Sequence, residues 1–283
     1  MHAVALTPTA TLEISAASGC VVQGGRVCVI ADDDPHLWVF GLDGTRLERL
    51  RLLPGVMPED PVELRLVKPD LEALALLPDG ALLALGSGSS PRRRRGALVR
   101  GGHVTAIDCT ELFTALEQQF ETLNLEAAVV IGDQLVLGQR GVIGNALVRL
   151  ELADVHRGLS GGALGSWALE AIDPLELGSL DDVPLALTSL ALSLEGELYF
   201  SAAAERPDGG CDGSVVGVLG PGGVVRRERV EPRLKIEGLA QLDADRWVMV
   251  ADVADRATPA QLLIASANAL RAVRANLVVP SAS

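Results

Sequence analysis

Aromatic residues make up only 3% of the 283-residue chain, so a core built on Phe, Tyr and Trp is not available. The 48% of apolar residues are mainly Leu, Val, Ala and Ile, which suit short layered strands and small helices alike. Positive charge is also scarce. With 24 Lys and Arg against 37 Asp and Glu, the formal charge of −13 repels a phosphate backbone and excludes general nucleic-acid binding. No apolar run approaches the roughly eighteen residues of a membrane helix, so a spanning role is excluded. Met1 to Ile14 lacks the basic-then-apolar order of a secretory signal, and the expected location is the cytoplasm.

Chemistry-bearing residues are sparse too. Cys20, Cys28, Cys109 and Cys211 show no Cys-x-x-Cys spacing, which argues against zinc and against a disulfide framework and leaves buried free thiols. His2, His36, His103 and His156 form no His-x-x-x-His pair. There is no Gly-x-Ser-x-Gly; Gly158-Leu-Ser-Gly-Gly reads as a flexible loop. Trp38, Trp167 and Trp247 read as aromatics packed within strands.

What the chain does have is a repeat. Asp70 to Ser87 reads as a strand, a tight turn at Asp79-Gly80 and a second strand; the same grammar returns at Asn124 to Arg140 and at Lys235 to Asp252. Each copy carries a glutamate followed by a small residue: Glu72-Ala73, Glu126-Ala127 and Glu237-Gly238. Two further copies, around Ser18 and Ser189, place serine where the others have Glu. The five positions are 54, 54, 63 and 48 residues apart, a period near fifty. A second strand pair follows each hairpin, as in His36 to Leu50, Gly96 to Ile107 and Ser214 to Glu228. Four strands per repeat define propeller blades. The chain is therefore expected to be all-β, one β-propeller domain over residues 1–283 with five four-stranded blades. Six blades is the alternative, because Gly55 to Lys68 and Ser160 to Pro184 are long enough to hide extra strands. Closure requires the ends to meet, with Ala3 to Ile14 or Ala272 to Pro280 supplying the outer strand of the last blade. Helical periodicity is confined to Thr110 to Glu121, where Leu112, Phe113, Leu116 and Phe120 share a face after Asp108 or Thr110 as the cap.

The repeated Glu-Ala/Gly hairpin and the Gly86-Ser-Gly-Ser-Ser-Pro-Arg stretch resemble a bacterial β-propeller family of unassigned function and, more distantly, esterase-like phytase propellers. The resemblance spans most of the chain and implies the propeller fold. It transfers no activity, and the metal ligands of gluconolactonase-like calcium propellers do not map one by one onto this sequence.

In a propeller the first strand of each blade lines the central channel, so Glu72, Glu126 and Glu237 converge on the axis as a partial carboxylate ring. Like charges so placed call for a cation, a proton or basic neighbours; Ca2+ or Mg2+ held by these three glutamates is one resolution, and backbone N–H groups are the other. The second strands end in charged loops at the same mouth, contributing Ser87, Ser89 and Arg94 from Gly86 to Arg95, and also Arg140 and Asp252. Gly and Ser there can form an anion nest beside a guanidinium fork. The function expected is binding of a small anionic ligand at the channel mouth, extending to metal-assisted hydrolysis of the esterase, lactonase or phosphoesterase type. The alternative is a non-catalytic protein-interaction scaffold. Nothing in the sequence reports on oligomeric state.

Overall fold

The computed structural model describes residues 3–141, 144–252 and 258–272. Five sheets surround one axis, and in three of them the strand order simply follows the chain from the inside outward. Blade 1 is Ala17–Gln23, Arg26–Ala31, Asp34–Phe40 and Arg46–Arg51. Blade 2 is Leu71–Leu76, Leu82–Gly86, Arg95–Arg100 and His103–Asp108, and blade 3 is Leu125–Ile131, Gln134–Gln139, Asn145–Glu151 and Leu169–Leu175. Blade 4 is Val183–Leu192, Leu198–Glu205, Cys211–Gly220 and Gly223–Glu231, with a short strand Ser179–Leu180 folded back on its start. Blade 5 takes Lys235–Gln241, Arg246–Asp252 and Gln261–Ser266 from the end of the chain and Thr7–Thr11 from its beginning. The innermost strands pack each on the next, and the first on the last, closing the ring.

The count is thus five. Of the two segments that left six open, Gly55 to Lys68 holds a helix, Pro61–Val67, whose first N–H groups are capped by the Asp60 carboxylate. Ser160 to Pro184 supplies the outer strand of blade 3 and the small hairpin of blade 4. Closure uses the head: Thr7–Thr11 pairs antiparallel with Gln261–Ser266, while Ala3–Ala5 pairs parallel with the outer strand of blade 4. The alternative closing segment, Ala272 to Pro280, lies outside the described residues from 273 onward.

Aliphatic side chains fill the layers between blades, as the composition requires. The helix Thr110–Glu117 inserts Leu112, Phe113 and Leu116 into the cluster between blades 2 and 3, and the Thr110 N–H donates to the Asp108 carboxylate at 2.9 Å. Gly158-Leu-Ser-Gly-Gly is no loose loop: Leu152–Ser160 is a helix, buried through Val155 and Leu159. Trp38 stacks on Phe40, and Trp247 packs on Tyr199 with ring centroids 4.7 Å apart, whereas Trp167 is half exposed.

One irregularity recurs in every blade. Pairing between the first and second strands skips one residue, and the skipped residues are Ser18, Glu72, Glu126, Thr188 and Glu237. Such a bulge adds twist and re-aims one side chain. A small residue follows each: Gly19, Ala73, Ala127, Ser189 and Gly238. The reason is close approach between neighbouring inner strands. A Cβ on Gly238 would lie 2.9 Å from both the backbone N and Sγ of Cys20 in blade 1, and one on Gly19 would lie 3.2 Å from the carbonyl O of Glu72 in blade 2.

Candidate functional site: the channel mouth

The five bulges place five side chains at one level of the channel, near the starts of the first strands and the ends of the second. Three are glutamates. Glu72, Glu126 and Glu237 line one cavity of about 70 Å3 together with Asp32, Arg140, Lys235 and Asp252. That volume corresponds to about two waters, so a ligand here meets the mouth with one group and is not swallowed.

The two hydroxyl residues do a different job. Ser18 Oγ donates to the carbonyl of Leu71 at 2.5 Å, and Thr188 Oγ1 donates to that of Ile236 at 2.6 Å. Each reaches the residue just before the next blade's bulge, clipping blade 1 to blade 2 and blade 4 to blade 5. The repeat read from the sequence assigns Ser189 to this place; the bulge moves the equivalence one residue back, and Ser189 Oγ instead accepts the Leu239 N–H at 3.2 Å.

Fixed cations answer most of the carboxylates. Glu126 is held by Arg140 at 3.2 Å and by the Asn124 side-chain amide. Lys235 lies 2.5 Å from both Glu237 and Glu205, and Arg140 also pairs with Glu205. Lys68 bridges Asp32 at 2.5 Å and Asp70 at 2.7 Å, and Arg93 meets the other oxygen of Asp70 at 3.0 Å. Asp70 is buried in the left-handed region, φ 54°, a conformation that aspartate tolerates better than most residues. Glu72 makes no ion pair among the described residues, although its carboxylate lies within 4.8 Å of those of Asp32 and Asp70.

Electrostatics follow from this layout. Burial, then the charges of Glu126, Asp32 and Asp70, push the Glu72 carboxyl well above the usual range. Burial lifts Glu126 to about 7 against the opposing pull of Arg140. Glu237 is also raised by burial, with Lys235 holding it back, and its Oε2 has no hydrogen-bond partner among the described residues. Burial works against the charge on Lys68 and Lys235, yet the neighbouring carboxylates raise both.

Of the residues expected at the mouth, Glu72, Glu126, Glu237, Arg140 and Asp252 share the cavity. Ser87 and Ser89 are not among its lining residues; their hydroxyls turn to the Asp70 carboxylate, so an internal anion takes the donors expected for a ligand. Arg94 does not reach the mouth: it pairs with Glu117 at 2.6 Å and donates to Thr114 on the helix Thr110–Glu117. Its neighbour Arg93 takes the inward position. Sequence reasoning missed Lys68, Asp70 and Lys235. A signal existed, since Asp70, Asn124 and Lys235 stand two residues before the three glutamates and so recur with them at the entry to each inner strand.

A five-bladed β-propeller with a charged channel mouth is the class that fold and site define. The chain belongs to the family of unknown function DUF6929, whose sequence profile matches residues 13–266, and the resemblance read from the Glu-Ala/Gly hairpins to a propeller family without assigned activity is borne out. No protein of curated function matches the sequence. Among solved structures, glutaminyl cyclase of Myxococcus xanthus superposes with a TM-score of 0.54 at 13% identity over 94% of this chain and 99% of that one. A gluconolactonase from Xanthomonas campestris gives 0.46 at 11% identity over 92% and 89%. A putative gluconolactonase gives 0.46 at 14% over 93% and 92%. At these identities the likeness is one of fold. No helix among the described residues is long and apolar enough to cross a membrane.

Proposed function

We propose that the channel mouth binds a small anionic ligand and that its carboxyl groups act on that ligand as acid and base, hydrolysis of an ester, lactone or phosphoester being the reaction class. The observation that carries this reading is the pairing of Glu72 with Glu126. One carboxyl is held well above the usual range with no fixed cation among the described residues; the other is lifted to about 7, where it exchanges protons at neutral pH. Arg140 and Lys235 supply positive charge in the same cavity, to which a carboxylate or phosphoryl oxygen would be drawn.

A divalent cation has a donor set in Asp32, Asp70 and Glu72. The Lys68 ammonium already bridges the first two, so Ca2+ or Mg2+ would have to displace it, and the acid–base version without metal fits the contacts better. Glu72, Glu126 and Glu237 as a metal-binding set meet a similar competition, because Arg140 and Lys235 stand beside the last two.

The scaffold reading draws on one observation: Val56, Val62 and Leu66, in and beside the helix Pro61–Val67, are 87%, 70% and 68% exposed. Two measurements separate the readings. The protein is titrated calorimetrically with calcium and magnesium, and it is assayed against simple esters, lactones and phosphoesters with Glu72→Gln and Glu126→Gln beside it. Turnover lost in both variants with unchanged melting supports the hydrolytic reading. Turnover of none of these substrates by the wild-type protein overturns it.

A further inference from the structure

The outer flank of blade 4 is rich in arginine for so acidic a chain. Its strand Gly223–Glu231 carries Arg226, Arg227 and Arg229, and Arg233 follows. Against this strand folds the small hairpin that begins at Ser179. Asp181 and Asp182 form its tip with φ of 50° and 65°, so two successive non-glycine residues occupy the left-handed region. That conformation is unfavourable and needs outside support. Arginines provide it: Arg229 meets Asp181 at 2.6 Å, Arg233 reaches it at 3.7 Å, and Arg227 donates to the Ser179 carbonyl at 3.1 Å. A Cβ on Gly178 would come within 2.5 Å of Arg227 Nη1, so glycine there makes room for the guanidinium.

Between hairpin and strands lies a cavity of about 280 Å3, lined by all three strand arginines with Asp181 and Glu228. Glu228 is buried and takes Arg226, through Nε at 2.7 Å and Nη2; Asp181 takes Arg229. Arg227 has no carboxylate among the described residues, and its one bond is to a neutral carbonyl. A guanidinium offers five N–H donors in a planar fork, so most of those on Arg227 and Arg229 remain unspent beside the cavity.

We infer that this cavity is an anion site, separate from the channel mouth, which takes a small phosphate-bearing molecule through Arg227 and Arg229. Phosphate fits the donors because two guanidinium forks can each meet two of its oxygens. The volume lies just below the roughly 300 Å3 where pockets for drug-sized ligands begin, which limits the ligand to a phosphate or a short phosphate monoester. Asp181 competes with that ligand for Arg229, so binding and the strained tip oppose each other.

Calorimetric titration with inorganic phosphate and with glycerol 3-phosphate, at low salt in a phosphate-free buffer, tests this. Saturable binding with Kd below about 1 mM is expected. Tighter binding of the monoester identifies a phosphorylated metabolite as the ligand class, and equal binding identifies free phosphate. Arg227→Gln loses only one carbonyl bond, so it should melt as the wild type does while binding at least about tenfold more weakly. Asp181→Asn removes the competing charge and should bind more tightly. Glu126→Gln, at the channel mouth, should bind as the wild type does. No saturation by about 10 mM, an Arg227→Gln variant that binds normally, or loss of binding in Glu126→Gln would each overturn the inference.

Discussion

Lys235 forms ion pairs with both Glu205 and Glu237, and its replacement by methionine shows how the mouth is held. Glu237 is 4% exposed, so in Lys235→Met its charge stays buried with its nearest compensation gone. Breaking a buried pair in this way costs about 3–5 kcal/mol. The loss has a ceiling, because the orphaned carboxyl can take up a proton instead. For a carboxyl of ordinary pKa near 4.3, that protonation costs about 4 kcal/mol at pH 7.5 and about 1 kcal/mol at pH 5. The pKa is raised in the folded variant, so stability is retained at low pH and lost as pH rises above the unfolded value. At roughly 2–3 °C per kcal/mol for a chain of this size, the variant should melt about 10 °C below wild type at pH 7.5 and within about 3 °C of it at pH 5. Adding Glu237→Gln should recover most of the loss at the higher pH. Paired thermal melts at the two pH values decide: a deficit of equal size at both, not relieved by the second substitution, would mean that Lys235 contributes packing alone.

Further outcomes follow from the same geometry. Gly238→Ala should cost about 1–3 kcal/mol, since its methyl meets the backbone of Cys20, and Gly19→Ala should cost less; equal midpoints in urea would contradict the seam. Ala127→Leu should cost a similar amount, because Ala127 already crowds Gly138 beside Leu187 of blade 4, and an unchanged melting temperature would place the residue outside that seam. In the wild-type protein the Glu126 carboxyl, lifted to about 7, stabilises the fold when protonated, so stability should decline as pH rises through 7. Exposed aspartates with lowered pKa, such as Asp79 bonded by the Ala81 N–H, act the other way and withdraw their contribution in acid. Melting temperature should therefore peak between about pH 4 and 7, and a steady rise from pH 5 to 9 would contradict this.

The blades were legible because two-residue turns and apolar runs recur at a nearly fixed period, and the three glutamates were legible because each precedes a small residue in the same place. Thr188 was not, because a bulge is an event of pairing and no residue type announces it; matching hydroxyl to hydroxyl selected Ser189, one position off. Arg94 was chosen among four consecutive arginines, where only the turn Pro91–Arg93 decides which guanidinium faces inward. The helix Leu152–Ser160 escaped because its buried face rests on few positions and its last turn contains Gly158 and Ser160, which read as a loop. Lys68 sits after a helix that the sequence did not reveal, and its reach into the mouth depends on where that helix ends.

The strand Thr7–Thr11 finishes a sheet that Lys235–Gln241 begins: Thr9 Oγ1 donates to the carbonyl of Leu262, 253 residues further on. During synthesis, blades 1 to 4 can pair largely from neighbouring sequence as they emerge, but residues 7–11 have no strand partner until Gln261–Ser266 has been made. Closing so long a loop carries an entropic cost that local hairpins do not, and contacts of such separation form late in folding. Pairing of residues 7–11 thus marks completion of the fifth blade, since a polypeptide stopped before Gln261–Ser266 leaves both that blade and the strand Thr7–Thr11 with open edges.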